Sequence, residues 1–141
     1  MNKRNKILIS GYYGFDNAGD EAILASIIQN IRKEITNARI VVLSRDPQNT
    51  ASTYNVESIN RKDLSSIYKH MKDTQLFLSG GGGLIQDVTG FSSVIYYLGL
   101  IQLAKLMGRK VMVFANGLGP LKSGKSKILT RLVLNQVDLI T

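Results

Sequence analysis

Gln75-Leu76-Phe77-Leu78-Ser79-Gly80-Gly81-Gly82-Gly83-Leu84-Ile85-Gln86-Asp87 is the stretch on which the reading of this chain turns. Its first residues are a short apolar run of strand length. Four consecutive glycines follow. Glycine loses more backbone entropy on folding than any other residue, so a plain connecting loop has little reason to hold four. They permit positive φ and let backbone N–H groups come close to a bound group. After a strand and before a helix, such a run reads as a cradle for an anion or a sugar.

Outward from this run, strand and helix patterns alternate. Toward the amino terminus, Lys6 to Ser10 reads as a buried strand, and Gly11 to Gly19 as a loop with Asp20 as the helix N-cap. Leu24, Ile27, Ile28, Ile31 and Ile35 recur at helical spacing. Ala38 to Leu43 is a second strand, closed by Asp46-Pro47. Residues 47–54 read as about one helical turn. Val56 to Ile59 makes a weak third strand, and Asp63 caps a polar helix through Met71. Gln75 to Ser79 is the fourth strand. Beyond the glycines, Ser92 or Ser93 starts an apolar helix that ends at Gly108, a C′ glycine. Lys110 to Ala115 is the fifth strand, Ser126 to Asn135 a helix, and Asp138 to Thr141 the start of a sixth strand.

The strands are solidly apolar rather than alternating, which marks a parallel sheet covered on both faces. The fold class is therefore α/β, a doubly wound, Rossmann-like sheet with predicted order 3-2-1-4-5-6. That order puts three glycine-bearing loops, after strands one, four and five, around one crevice at the carboxyl edge. The chain stops inside an apolar strand. The expectation is that residues 1–141 are the amino-terminal domain of a longer protein, with a second domain absent.

Composition narrows the chemistry. Hydrophobic residues make up 44% and charged residues 20% of the chain, as in a folded domain rather than a disordered one. The absence of cysteine removes disulfides and thiolate chemistry, and the single histidine, His70, reads as exposed and idle. No metal and no cofactor are expected. Lys3, Arg4 and Lys6 precede Ile7-Leu8-Ile9, but that run is too short for a signal peptide. The run Val94 to Leu103 is too short to span a bilayer. The protein reads as cytoplasmic. Net charge is +8, with the basic residues in small clusters and no aromatics interleaved on a basic face. The charge permits a nucleic-acid partner, and an anionic membrane surface or phosphorylated substrates fit it equally well; no nucleic-acid partner is expected.

The loops carry the chemistry. The glycines at 11, 14 and 19 do not have dinucleotide spacing. Asp16, Asp20 and Glu21 crowd a helix start that would otherwise attract pyrophosphate. Acid there suits hydrogen bonds to sugar hydroxyls, or removal of a proton from one. Asp20 and Glu21 have helix capping as an equal explanation. Asp16 and Asn17 have only turn formation, so they are the candidate catalytic pair. Gly14, Asp20, Gly80, Gly81, Gly82, Gly83, Gln86, Asp87, Asn116 and Gly117 are the candidate substrate-binding residues. Tyr12 and Tyr13 read as packing over the first loop, and Tyr96 and Tyr97 as core. The third loop matches the phosphate-loop pattern from Gly119 through Gly124-Lys125-Ser126, but Asn116-Gly117-Leu118 separate it from the strand and no magnesium-holding aspartate follows. Lys125 therefore reads as a surface lysine. The visible crevice is acidic or neutral, with lysines only in this third loop.

Three motifs carry a resemblance: Gly14-Phe15-Asp16-Asn17-Ala18-Gly19-Asp20-Glu21-Ala22-Ile23, the run Ser79 to Asp87, and Gly117-Leu118-Gly119-Pro120. In this order and spacing they resemble the amino-terminal half of polysaccharide pyruvyl transferases, most closely the bacterial cell-wall type. The resemblance implies one domain of a two-domain enzyme similar to glycosyltransferases of the GT-B type. It implies transfer of the enolpyruvyl unit of phosphoenolpyruvate onto two hydroxyls of a sugar, forming a cyclic ketal. The implied acceptor is a lipid-linked saccharide at the inner face of the cytoplasmic membrane, with phosphoenolpyruvate as donor substrate. Donor-binding cations are expected mainly beyond Thr141. By residue match, Asp16 and Asn17 fall on the acceptor side. Which carboxylate is the base stays open. Two other readings stand beside this one: a nucleotide-sugar glycosyltransferase of similar fold, and a non-catalytic module that binds an anion or sugar in the glycine crevice.

Overall fold

The computed structural model describes residues 5–88 and 90–141; Lys3 and Arg4 of the basic amino-terminal cluster lie outside them. In chain order the elements are β1 (Lys6–Ser10), α1 (Ala18–Glu34), β2 (Arg39–Ser44), α2 (Pro47–Tyr54), β3 (Glu57–Asn60) and α3 (Leu64–Met71). They continue with β4 (Leu76–Ile85), α4 (Phe91–Leu106), β5 (Lys110–Leu118), α5 (Gly124–Leu134) and β6 (Leu139–Ile140). Among the described residues the six strands form one sheet in the order β3-β2-β1-β4-β5-β6, every pair parallel. This is the predicted doubly wound topology. Strands β1 and β4 are neighbours, with Ser10 at the end of β1 opposite Ser79 within β4, and the order in which strands are added to the sheet reverses between them.

Each face of the sheet has its own core. On one face, Leu24, Ile27, Ile28 and Ile31 of α1 pack over Ile7, Ile9, Ile40, Val42 and Leu78. On the other, Ile67 and Met71 of α3, Val94, Leu98 and Ile101 of α4, and Val133 of α5 cover Leu8, Val41, Phe77, Val111 and Val113. Neighbours along a strand therefore alternate between two buried faces, and the strands read as unbroken apolar runs. Each of these fully buried side chains contributes about 1.5–3 kcal/mol of burial.

Several boundaries differ from the sequence reading. Strand β4 does not stop at Ser79 but runs through the glycines to Ile85, and β5 runs on to Leu118, with a register irregularity between Gly82 and Ile85. Residues 47–54 form a helix of two turns, set by Pro47 in its first turn and by Asp46, whose carboxylate accepts from the Asn49 N–H. Helix α4 starts at Phe91 behind Gly90 rather than at a serine, and Gly108 at φ +74° follows its end as expected. The N-cap of α1 is Asn17, not Asp20: Asn17 Oδ1 accepts from the Asp20 N–H at 3.1 Å. His70 is half-buried rather than exposed, and burial first, then Lys6, holds its pKa below the ordinary histidine value. Among the described residues no helix is long and apolar enough to cross a membrane.

Candidate functional site

The loop after β1, the glycine run in the last part of β4 and the end of β5 with Gly117 and Gly119 lie at the carboxyl edge of the sheet, as the strand order requires. A cavity of about 430 Å³ opens there, lined by Tyr12, Asp20, Arg61, Gly83, Leu84, Gln86, Ser93 and Tyr97. Its size falls in the range of small-molecule sites.

The glycine run is a strand rather than a loop because of what crosses it. A Cβ on Gly80 would meet the Tyr13 hydroxyl at 2.6 Å, one on Gly81 would stand 2.1 Å from Ile23 Cγ2, and one on Gly82 would stand 2.5 Å from Asp20 Oδ1. Gly82 also has φ +92°. Side chains from the first loop and the start of α1 thus lie directly on the strand. Gly83 has nothing within 4 Å of such an atom. It is the member of the run that lines the cavity, and packing does not explain it. Gly117 comes near it, a Cβ there standing 3.7 Å from Gly83 Cα.

The first loop is built as a wall. Tyr13 is wholly buried, with its hydroxyl in a position without a hydrogen-bond partner among the described residues. Burial first, then Asp20 and Glu21, raise its pKa above the ordinary tyrosine value. Tyr12 stacks on Phe15 with ring centroids 3.9 Å apart. Gly14, at φ +82°, lets the loop pass over the end of β2, where a Cβ would strike Ser44 Oγ and the Asp46 N. Glu21 ties this wall down: its carboxylate accepts from the Gly14 N–H at 3.3 Å and the Tyr54 hydroxyl at 2.9 Å. Burial and that bond push the Tyr54 pKa up to about 12. Capping and tying thus account for Asn17 and Glu21, while Asp20 is left facing the cavity. Burial first, then the negative charge of Glu21, raise the Asp20 pKa above the ordinary aspartate value.

Asp16 is exposed at φ +58° and is not part of the cavity lining. Asn116 donates from Nδ2 to the Ser79 carbonyl at 2.9 Å and to Ser79 Oγ at 3.2 Å, fastening β5 to β4. Gln86 lines the cavity and accepts from the Val88 N–H at 2.7 Å. Asp87 turns away to another task. Its carboxylate accepts from the Lys122 N–H at 2.8 Å and the Ser123 N–H at 2.7 Å. Those bonds hold its pKa below the ordinary aspartate value. The phosphate-loop match changes its meaning here. Because β5 reaches Leu118, Gly119 does follow the strand directly, contrary to the sequence reading. Yet the backbone donors a phosphate would need at Lys122 and Ser123 already serve Asp87.

Arg61 was missed in the sequence. It directly follows β3, so the strand order brings it to the same edge as the loops after β1 and β4. Its guanidinium carbon stands 5.1 Å from the Phe15 ring, 4.4 Å from Tyr96 and 5.7 Å from Tyr97. Nη2 donates to the Tyr97 hydroxyl at 3.2 Å. The crevice is therefore not acidic or neutral, as its loops alone suggested. It holds a carboxylate and a guanidinium, and no ion pair joins Arg61 to a carboxylate among the described residues. Tyr97, expected in the core, is buried and also lines this cavity; burial pushes its pKa up to about 12.

Such a site can hold a polar small molecule with its anionic part toward Arg61 and a hydroxyl toward Asp20. Residues 17–141 match the family model described as Polysaccharide pyruvyl transferase. No curated protein matches the chain.

Proposed function

We propose that this chain, which belongs to the polysaccharide pyruvyl transferase family, forms the crevice in which a pyruvyl group passes from phosphoenolpyruvate to a saccharide of a cell-wall polysaccharide precursor. The product is a cyclic ketal. The observation that carries this reading is the placement of Asp20. Its carboxylate lines the cavity, its neighbours disfavour the ionised form, and capping does not occupy it. A carboxylate with a raised pKa is a stronger base toward a sugar hydroxyl.

The reaction needs two hydroxyl protons removed and one proton delivered to carbon. The acceptor's first hydroxyl oxygen bonds to C2 of the enol as its methylene carbon takes a proton and becomes a methyl group. The second hydroxyl oxygen replaces phosphate at the same carbon. Of the two hydroxyl protons, one balances the new methyl C–H and the other leaves with phosphate. Asp20 accepts the proton from the hydroxyl held against Gly83, where the missing side chain leaves room for a ring. Tyr12 and Tyr97 form the flanking walls. Asp16, exposed beside Phe15, contacts the acceptor from outside the cavity. A net charge of +8 favours an acceptor carried on an anionic membrane surface.

The test is product analysis. The enzyme containing this chain, given phosphoenolpyruvate and a lipid-linked saccharide, should release one phosphate for each ketal formed. In deuterated water the ketal methyl should gain one deuterium. Turnover of a nucleotide sugar in place of phosphoenolpyruvate would replace this reading with glycosyl transfer.

A further inference from the structure

We propose that Arg61 is the oxyanion anchor of this crevice, taking the phosphate or carboxylate of a small anionic donor through its in-plane Nη donors. The inference rests on the pyruvyl-transfer reading for the donor's identity, but its own evidence is geometric. Aromatic rings stand around the guanidinium, Phe15 at 5.1 Å and Tyr96 at 4.4 Å, and hold it in place. An arginine so held presents its N–H groups as a fixed fork, the geometry that matches a phosphate or carboxylate. Among the described residues its side chain makes one hydrogen bond, from Nη2 to Tyr97, and Nε is buried without a partner. A cation so placed ordinarily finds a carboxylate, because unmet donors are costly.

Asp20 lines the same cavity, yet among the described residues no ion pair joins it to Arg61. The two charges are kept apart within one cavity, one end suited to an anion and the other to a hydroxyl. Donor binding then falls to a residue of this chain.

The experiment is calorimetric titration of the enzyme containing this chain with phosphoenolpyruvate, inorganic phosphate and pyruvate separately. Arg61→Gln, Arg61→Lys and the remote control Arg131→Gln are titrated alongside, and each variant's Tm is recorded. Wild type and Arg131→Gln should bind phosphoenolpyruvate alike. Arg61→Gln should weaken binding roughly ten- to hundredfold, the effect of losing a charge-assisted bond. Arg61→Lys keeps the charge without the fork and should fall between them; it decides the matter if Arg61→Gln does not fold. The phosphate and pyruvate arms show which end of the donor Arg61 holds. Unchanged affinity in a folded Arg61→Gln, or in Arg61→Lys where Arg61→Gln does not fold, or no anion binding by wild type, overturns the proposal. Arginine-dependent binding without any ketal product would instead sink the transfer reading and leave the anchor standing. Ketal formation by Arg61→Gln at an unchanged KM for phosphoenolpyruvate would do the reverse.

Discussion

Oδ1 of Asp20 stands 2.5 Å from where a Cβ on Gly82 would lie, so the glycine is what lets the carboxylate reach the cavity. Gly82 is also at φ +92°. Gly82→Ala should therefore destabilise the fold by about 1–3 kcal/mol, from the positive φ and the clash together. Gly83→Ala, with open space around the new methyl, should leave Tm nearly unchanged while raising KM for the acceptor. Thermal unfolding of the two variants side by side checks the contrast.

Asp20→Asn should separate activity from stability. A raised pKa means that the folded state holds the proton more tightly than the unfolded chain. Stability attributable to this group is full below the ordinary aspartate value and falls as pH rises through the raised one. At neutral pH the ionised Asp20 is then a net cost, so the amide should match or exceed wild type in Tm. Unfolding followed from pH 4 to pH 8 should show a flatter profile for Asp20→Asn. A clear fall in Tm at neutral pH would mean that the carboxylate holds the fold together instead.

Asp87 has the opposite sign. Its depressed pKa comes from the Lys122 and Ser123 N–H groups, so its stabilisation is present above the ordinary aspartate value and lost as pH falls through the folded one. Asp87→Ala should lower Tm at neutral pH and have progressively less effect on acidification. With those donors engaged, magnesium ATP should leave Tm unchanged in wild type and in Lys125→Ala alike. A stabilisation by ATP that vanishes in Lys125→Ala would restore the phosphate-loop reading.

Asn17→Ala should cost about 0.5–2 kcal/mol through loss of the α1 cap, with Asn17→Asp nearly neutral. Helicity and Tm measured together check this. A loss of transfer activity without any change in Tm would return Asn17 to a direct role.

The strand order was legible because Ile7 to Ile9, Ile40 to Leu43 and Val111 to Ala115 are unbroken apolar runs alternating with helical patterns, as in a parallel sheet covered on both faces. The extent of β4 was not. Glycine carries no strand signal, and what holds Gly80, Gly81 and Gly82 in β4 is the arrival of Tyr13, Ile23 and Asp20 from far along the chain. The cap of α1 was assigned one turn late because Asn17 and Asp20 are both good caps, and only the fold shows that Ala18-Gly19 enters the helix. Arg61 carried no local motif. Its signal was topological: the first residue after β3, in a sheet ordered 3-2-1-4-5-6, lies at the same carboxyl edge as the loops.

Pyruvyl transfer, as proposed, depends on the carboxylate of Asp20 in this cavity. The most direct measurement is ketal formation by the enzyme containing this chain, wild type against Asp20→Asn, at saturating phosphoenolpyruvate and saccharide. Loss of a general base predicts a rate lower by about a hundred- to ten-thousandfold with the fold intact. An Asp20→Asn enzyme within twofold of wild type would contradict it.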